Sequence, residues 1–572
     1  MRFNFKTGVL AAVFIVPGAT SPYANQTSQV TLATVPAATT ANPVSSPPPH
    51  ATGIGTSGAI AGAAATLTAP SGRVGRISLV SGNVEFRGPG DAQWSAASVN
   101  DPVATGVALR TGPQAQAEIR VGPDTIDLAQ GTEIAVAKLE RPIAEIAVRE
   151  GRIGLGIGWL DRGENVQIDL AGGEVWVLDR GRYDIDAGAG EHPERIAALA
   201  GNARFVGGGA DLPIGSGYQL LPSSAETITA KIETARPPDK FDEWCEARTV
   251  DDSQLAAPYF VSREMTGYAA LDEAGDWQPG GKDGEVWVPR VSAAEWAPYR
   301  NGHWRWLAPW GWSWVDDQSW AFAPSHYGRW RFADGHWSWA PGLRSGHPVW
   351  APAVVAFLGT PGVGLSYADG PGPAIAWFPL APGEVYWPGY TRDLDYIRAL
   401  NRGNAVDLSA IRLGADGEPS AEIANAHFAN RSFANVVPRP IFVAGQPIAD
   451  ALLTIPNERL RDAPAIMGSP RIGPPPPTST RVATAAPQHE HQPSFPAVAA
   501  TRSAKTAAWD RMVRAAAIRS RNLQEAARLR FIRLRVSASV EMSRLRRSIV
   551  LRVARFDHVL PRSEAHRRVI RR

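Results

Sequence analysis

The residues with the greatest chemical potential crowd into one stretch, Trp277–Trp387, which holds fifteen of the chain's twenty tryptophans. Its centre reads GHWRW (302–306), GWSW (311–314), GRWRF (328–332) and GHWSW (335–339). In a strand, side chains two apart share a face. Trp304 with Trp306, Trp312 with Trp314, Trp330 with Phe332, and Trp337 with Trp339 then each place two rings side by side. Such rows support two kinds of chemistry. Buried, they give short strands a core, since one indole removes roughly 150–250 Å² from water. Exposed, they form a platform on which sugar rings stack. The candidate binding surface is therefore Trp304, Trp306, Trp312, Trp314, Trp330, Trp337 and Trp339. Its ligand would be an envelope protein or a cell-wall glycan, and core packing is the reading set against it.

Four histidines, His303, His326, His336 and His347, share the stretch. His303 and His336 hold equivalent repeat positions, so they could meet across strands at a metal. Stacking or hydrogen bonding is the simpler expectation, because the nearby Asp316, Asp317 and Asp334 read as turn residues. No metal and no cofactor is expected. The chain has no G-x-S-x-G elbow, H-E-x-x-H, P-loop or strand-linked G-x-G-x-x-G. GLGIG (154–158) lies in a strand pattern without a following helix or lysine. Asp316 and Asp317 are adjacent, so their carboxylates point apart and do not make a glycosidase pair. A non-catalytic protein is expected. Cys245 is the single cysteine; it excludes an intrachain disulfide and reads as a small buried residue.

The elements that must position the tryptophans are marked by turns. Asp334-Gly335 is a hairpin signal, and Leu-Ala-Pro-Trp-Gly (307–311) is a second tight reversal. Ala-Pro recurs at 297–298, 308–309, 323–324, 340–341, 351–352 and 381–382. Proline lacks an amide proton, so each copy is expected to end or edge a strand. The pattern predicts a Trp-rich antiparallel β-meander over 261–400. Glycines before the tryptophans would allow close approach, and Arg305, Arg329 and Arg331 would stack on indoles.

Residues 73–222 show short alternating apolar runs with Gly or Asp turns every 8–12 residues, which predicts an all-β sandwich or roll. Over 223–260 a connecting helix is expected near Asp239–Arg248, with Asp239 as cap and Phe241, Trp244 and Cys245 on one face. A small mixed extension follows at 401–470, then a Pro-rich linker at 471–500. Residues 501–572 carry apolar positions at helical spacing and read as a basic amphipathic helical tail. The fold class is thus mainly β with a C-terminal α-helical tail.

The ends set the compartment. Residues 1–24 have a basic start, an apolar run from Val9 to Val16 and small residues beyond, the pattern of a cleavable signal peptide. Residues 25–72 are an Ala/Thr/Pro-rich spacer without a core-forming pattern. No later run of 18 apolar residues suggests a membrane span in the mature chain. A periplasmic address is expected. Net charge is +3, but residues 501–572 carry 20 Lys/Arg against 5 Asp/Glu, or +15, leaving 38 against 50, or −12, for residues 1–500. Arg528, Arg530, Arg533, Arg535, Arg544, Arg546 and Arg547 make the tail a contact for an anionic surface, with no specific nucleic acid implied.

Two family resemblances emerge from these motifs. SGNVEFRG (81–88), the turns at 101–106 and 111–112, AEIRVGPDTIDLAQGTEI (117–134) and EGRIGLGI (150–157) resemble the FecR domain over residues 73–222. That likeness implies a periplasmic β domain used in protein contact, often in envelope signalling. YAALDEAGDW, GHWRW, PWGWSWVDD, WAFAPSHYGRW, GHWSWAPG and WFPLAPGEVY closely resemble, in order, the DUF6600 family of exported bacterial proteins without an assigned function. FDEWCEAR before them and NRSFANVVPRPIFVAGQPI (430–448) after them fit the same pattern.

Overall fold

The computed structural model describes residues 69–475, apart from 189–192, 224–228, 293–295, 343, 345, 367–371, 405, 415–418 and 421–426. The expected signal peptide, all but the last residues of the spacer, most of the Pro-rich linker and the basic tail lie outside the described residues. What is described is mainly β.

The first unit is built from two nine-stranded sheets. One runs from Pro102–Val103 through Gly75–Ser81, Gln116–Val121, Asp124–Leu128, Arg152–Ile157, Gly181–Asp186, Arg195–Ala200 and Tyr218–Ser223 to Thr229–Thr234. The other runs from Ser95–Ala96 to Ala210–Ile214. Beyond the first strands, position in each sheet follows order in the chain, so the chain shuttles between sheets as both grow in one direction. Pairing is antiparallel except where Asn165–Asp169 lies parallel to Ile143–Glu150. Alternation makes the core: Ile119, Leu128, Ile153 and Ile185 of one sheet share a buried cluster with Phe86, Ile134, Ile168 and Phe205 of the other. Strand Thr229–Thr234 pairs with Tyr218–Ser223, so the sheet continues past the boundary expected at 222.

The helix expected after it spans Lys240–Ala247. Asp239 caps it, accepting from the amides of Phe241 and Asp242, while the Asp242 carboxylate takes the Asp239 amide. The helix covers an unusual row. Pairing registers Glu118 with Asp127, Asp127 with Gly154, and Gly154 with Asp184. Three carboxylates therefore lie in line across four strands, and all three are buried. Arg120 and Arg248 pair with Glu118, and Arg152, Arg195 and Arg236 with Asp184.

In the second unit the expected meander is distributed over three small sheets. Gly302–Leu307 and Gly311–Asp316 form a two-stranded hairpin, with Trp304 opposite Trp314 and Trp306 opposite Trp312. Arg329–Ala333 and His336–Ala340 form a second hairpin, with Trp330 opposite Trp339 and Phe332 opposite Trp337. This hairpin joins Gly275–Pro279 and Glu285–Pro289 in a four-stranded sheet. Its Asp334-Gly335 turn has φ of 51° and 79°, the left-handed pair that a two-residue hairpin loop requires. The third sheet takes Val355–Leu358 and Ala374–Pro379 from the Trp-rich stretch and Asn435–Pro438 and Ala465–Ile466 from beyond it. Residues 435–466 are therefore tied into this unit rather than an appendage.

Close approach of glycine to indole is real. A Cβ on Gly302 would sit 2.2 Å from the Val315 carbonyl and 2.8 Å from the Trp314 ring; one on Gly328 would sit 2.5 Å from Trp339 Nε1. Three Ala-Pro copies depart from expectation: those at 297–298 and 351–352 lie in irregular connections, and Ala323-Pro324 lies in the short helix Phe322–His326. Amides in a first helical turn have no intrahelical acceptor, so proline is tolerated there.

Buried polar contacts lock the two units together. Asn100, held at φ 68°, donates to the carbonyls of Asp316 (2.9 Å) and Gln318 (2.8 Å) and accepts from Arg76 (2.8 Å). Arg76 also donates to the Ser319 carbonyl. Thr266 Oγ1 donates to the Val74 carbonyl (2.7 Å) and accepts the Gly122 amide (3.1 Å).

Candidate functional site

The tryptophans expected to form a binding surface are interior. Trp304, Trp312, Trp314, Trp330, Trp337 and Trp339 are all buried, at 4% exposure or less. Trp306 alone is half-buried, and it packs on the same core. Trp304 shows why: its ring is 5.3–5.5 Å from those of Trp314, Phe357, Trp377 and Phe442. Phe357 and Trp377 of the neighbouring sheet cover the aromatic face of the first hairpin, and Trp296 and Phe433 pack on that of the second, so the expected aromatic platform does not form. Nor do the arginines stack on indoles. Arg305 lies over Phe86 of the first unit, 4.8 Å from its centroid. Arg331 pairs with Asp283, and Arg329 is buried among backbone oxygens. The tail arginines Arg528, Arg530, Arg533, Arg535, Arg544, Arg546 and Arg547 lie outside the described residues.

The histidines separate. His303 and His336 stand in different sheets. His303 is half-buried, and desolvation pushes it down to about 4; His336 is exposed, its ring near the Asp334 carbonyl (3.3 Å). His326 is buried against Trp350 and Phe322, with Nδ1 2.7 Å from the Ala351 carbonyl, and desolvation pulls it down to about 3. Asp316 is not an exposed turn residue. It is buried, accepts from Trp314 Nε1 (2.9 Å) and the Gln318 amide (3.0 Å), and burial raises it to about 7.

The feature the sequence does not announce is a cleft of about 1120 Å³ at the seam between the units. Arg73, Glu140 and Arg141 line it from the first unit, and Glu264, His347 and Tyr390 from the second. Arg141 reaches Asp161, Glu164 and Glu264. His347 Nδ1 lies 2.7 Å from Glu264 Oε2. Ligand atoms of Asp161, Glu264 and His347 fall within 4.8 Å of one another, but the Arg141 guanidinium already supplies the positive charge there. The arrangement is an ion-pair cluster spanning both units. Beside it, Trp159 donates to Asp161 (2.8 Å) and is 39% exposed. Among the described residues, the exposed indole thus lies outside the tryptophan repeat.

A second cavity, about 90 Å³, opens from the same wall and shares Tyr327 and residues 347–349 with the cleft. Its polar lining includes His326, Arg329, Tyr386 and Asn404.

The fold and these cavities define a class: a two-part β protein with a tryptophan core in one part and a polar cleft at the seam. Within it, residues 268–384 match a family of unknown function (DUF6600). No curated protein matches the chain. Among solved structures it is similar to two crystal structures of a candidate anti-sigma factor from Parabacteroides distasonis ATCC 8503. Identity is 14% and the TM-score 0.21; the likeness covers 22% of this chain and spans 60% of that one.

Proposed function

We propose that this chain is a non-catalytic, exported envelope protein that works as an interaction or scaffold module, with the interdomain cleft as its contact surface. The observation that supports this most is the seam itself. Buried polar bonds hold the two β units in one arrangement, and between them lies a roomy cleft whose charges are paired with each other rather than with a nucleophile. Ser71, the serine hydroxyl in that cleft, donates to the Leu139 carbonyl (2.7 Å). The FecR resemblance of residues 73–222 supports a role in envelope signalling. The basic tail supports a second, electrostatic contact with an anionic surface.

The alternative, glycan binding through tryptophan rows, loses its support with the burial of six of the seven rings. A photo-crosslinking residue at Val349, in the cleft, is compared in living cells with one at exposed Gln278. An envelope protein captured at Val349, lost on Arg141→Glu and confirmed by reciprocal purification, is the expected result. Equal labelling at both sites, or none, overturns the proposal. Cell fractionation tests export, and deletion of 501–572 is expected to remove salt-sensitive retention on an anionic matrix.

A further inference from the structure

We propose that the 90 Å³ chamber behind the cleft binds a small carboxylate that carries an adjacent N–H or O–H donor. Arg329 is its anionic anchor and Asn404 its acceptor. The inference rests on the chamber's geometry and stands or falls apart from the partner proposed for the cleft.

Arg329 is 1% exposed. Its Nε donates to the Glu384 carbonyl (3.0 Å), Nη1 to the Gly328 carbonyl (2.8 Å) and Nη2 to Asn401 Oδ1 (2.7 Å). All three acceptors are uncharged. The nearby Glu384 carboxylate is engaged elsewhere, one oxygen taking the Ala429 amide (2.7 Å) and the other the Ala381 amide (2.8 Å). A guanidinium has five N–H donors, so these contacts fix its plane and leave donor capacity over. A buried charge whose nearby carboxylate is committed elsewhere is unfavourable, and an oxyanion in the chamber would relieve it.

The anchor is rigidly held. Asn401 accepts Arg329 Nη2 and the Tyr386 amide (2.7 Å) through one oxygen while donating to the carbonyls of Tyr386 (2.8 Å) and Ile397 (2.8 Å). A planar guanidinium so fixed suits the two oxygens of a carboxylate. The second observation is Asn404. It is 6% exposed, it lines the chamber, and its Oδ1 is buried with no hydrogen-bond partner among the described residues. An unpartnered acceptor, and a guanidinium with donors to spare whose nearby carboxylate is committed to backbone amides, line one chamber and call for a ligand with an oxyanion and a donor together. The last residue of a peptide has that chemistry in its carboxylate and amide N–H; so does a free hydroxy acid. The volume admits about one such group, with the remainder of a longer ligand passing into the cleft.

The test is calorimetry on the full mature chain with N-acetyl-alanine, its carboxamide, lactate, and a blocked tripeptide ending in a free carboxylate. Binding of the acids, at least tenfold tighter than the carboxamide, is expected. The tripeptide outranking both small acids assigns the site to chain ends; the small acids ranking equal or better assigns it to free acids. Asn404→Asp keeps Arg329 in place but adds a negative charge to the chamber, and is expected to weaken acid binding at least tenfold with a melting temperature in buffer no lower than the parent's. Arg329→Lys keeps the charge but loses the fork, and is expected to bind less tightly. Equal affinity for acid and carboxamide, no binding of any acid, or full binding by Asn404→Asp overturns the proposal.

Discussion

Arg305 leaves the tryptophan hairpin and brings its Nε to 2.7 Å from the Asp101 carboxylate of the first unit, a carboxylate with no solvent exposure. The contact is an ion pair set off the hydrogen-bonding direction. The same guanidinium donates to Ser95 Oγ (3.1 Å) and the Ala96 carbonyl (3.1 Å). One side chain thus couples the stability of two units far apart in sequence. Burial lifts Asp101 to about 6 even with Arg305 beside it, so the arginine is what keeps the buried charge tolerable.

Arg305→Met is therefore expected to destabilise the body by about 3 kcal/mol, the lower part of the range for orphaning a buried charge. Asp101→Asn with Arg305→Met should recover most of that loss, since neither charge is then left alone. Urea unfolding of the single and double variants measures both. Additive losses would show that the two residues do not act as a pair.

Burial of the tryptophans makes a second prediction. Trp304→Ala removes a ring at 1% exposure with four aromatic neighbours, so a loss of about 3–5 kcal/mol is expected. Trp306→Ala, at the half-buried position, should lose clearly less. Sedimentation with insoluble peptidoglycan should be the same for Trp306→Ala and the parent chain. A Trp304→Ala variant as stable as the parent would show that the ring is not core.

These two results bear on what the sequence discloses. The hairpins were legible because their signals are local: Asp334-Gly335 at the turn and aromatics two apart. The cap at Asp239 was legible for the same reason. Core against surface was not, because alternation shows which residues share a face and not what lies against that face; that is decided by strands as distant as Val355–Leu358. The Glu118–Asp127–Gly154–Asp184 row was hidden because register across four strands arises only on folding. The seam was hidden because Arg305 and Asp101 are about two hundred residues apart, and alone the first reads as an indole-stacking side chain and the second as a turn residue.

The row carries a pH prediction. Asp127 is buried, and its Oδ1 has no hydrogen-bond partner among the described residues. Desolvation, reinforced by Glu118, raises it from the usual range to about 7. With the folded value raised, the folded chain holds the proton between about pH 4 and 7 while the unfolded chain has released it. Stability from this group is thus present at the acid end and lost as pH rises toward 7. Asp127→Asn should match the parent near pH 4 and exceed it progressively up to pH 8, by a margin on the order of a few kcal/mol at most. Taking the difference between the two chains cancels the opposite trend from buried His326, whose value is lowered. A difference flat in pH would refute the assignment.

Cys245 lies on the helix directly above that row, and the fit leaves no slack. A Cβ at Gly154 would stand 2.7 Å from Cys245 Sγ, inside the separation that real side chains keep. Burial and the neighbouring Asp127 raise the thiol well above its usual range. The thiolate is the reacting form, so alkylation of the native protein at pH 8 should be far slower than that of the unfolded chain. Gly154→Ala forces the sulfur, and with it the helix, off the sheet. It should destabilise the fold and speed alkylation of Cys245 at least tenfold. Combining Gly154→Ala with Cys245→Ala removes the colliding sulfur and should restore most of the stability. If Gly154→Ala leaves both the stability and the alkylation rate unchanged, the helix does not rest on the sheet through this contact.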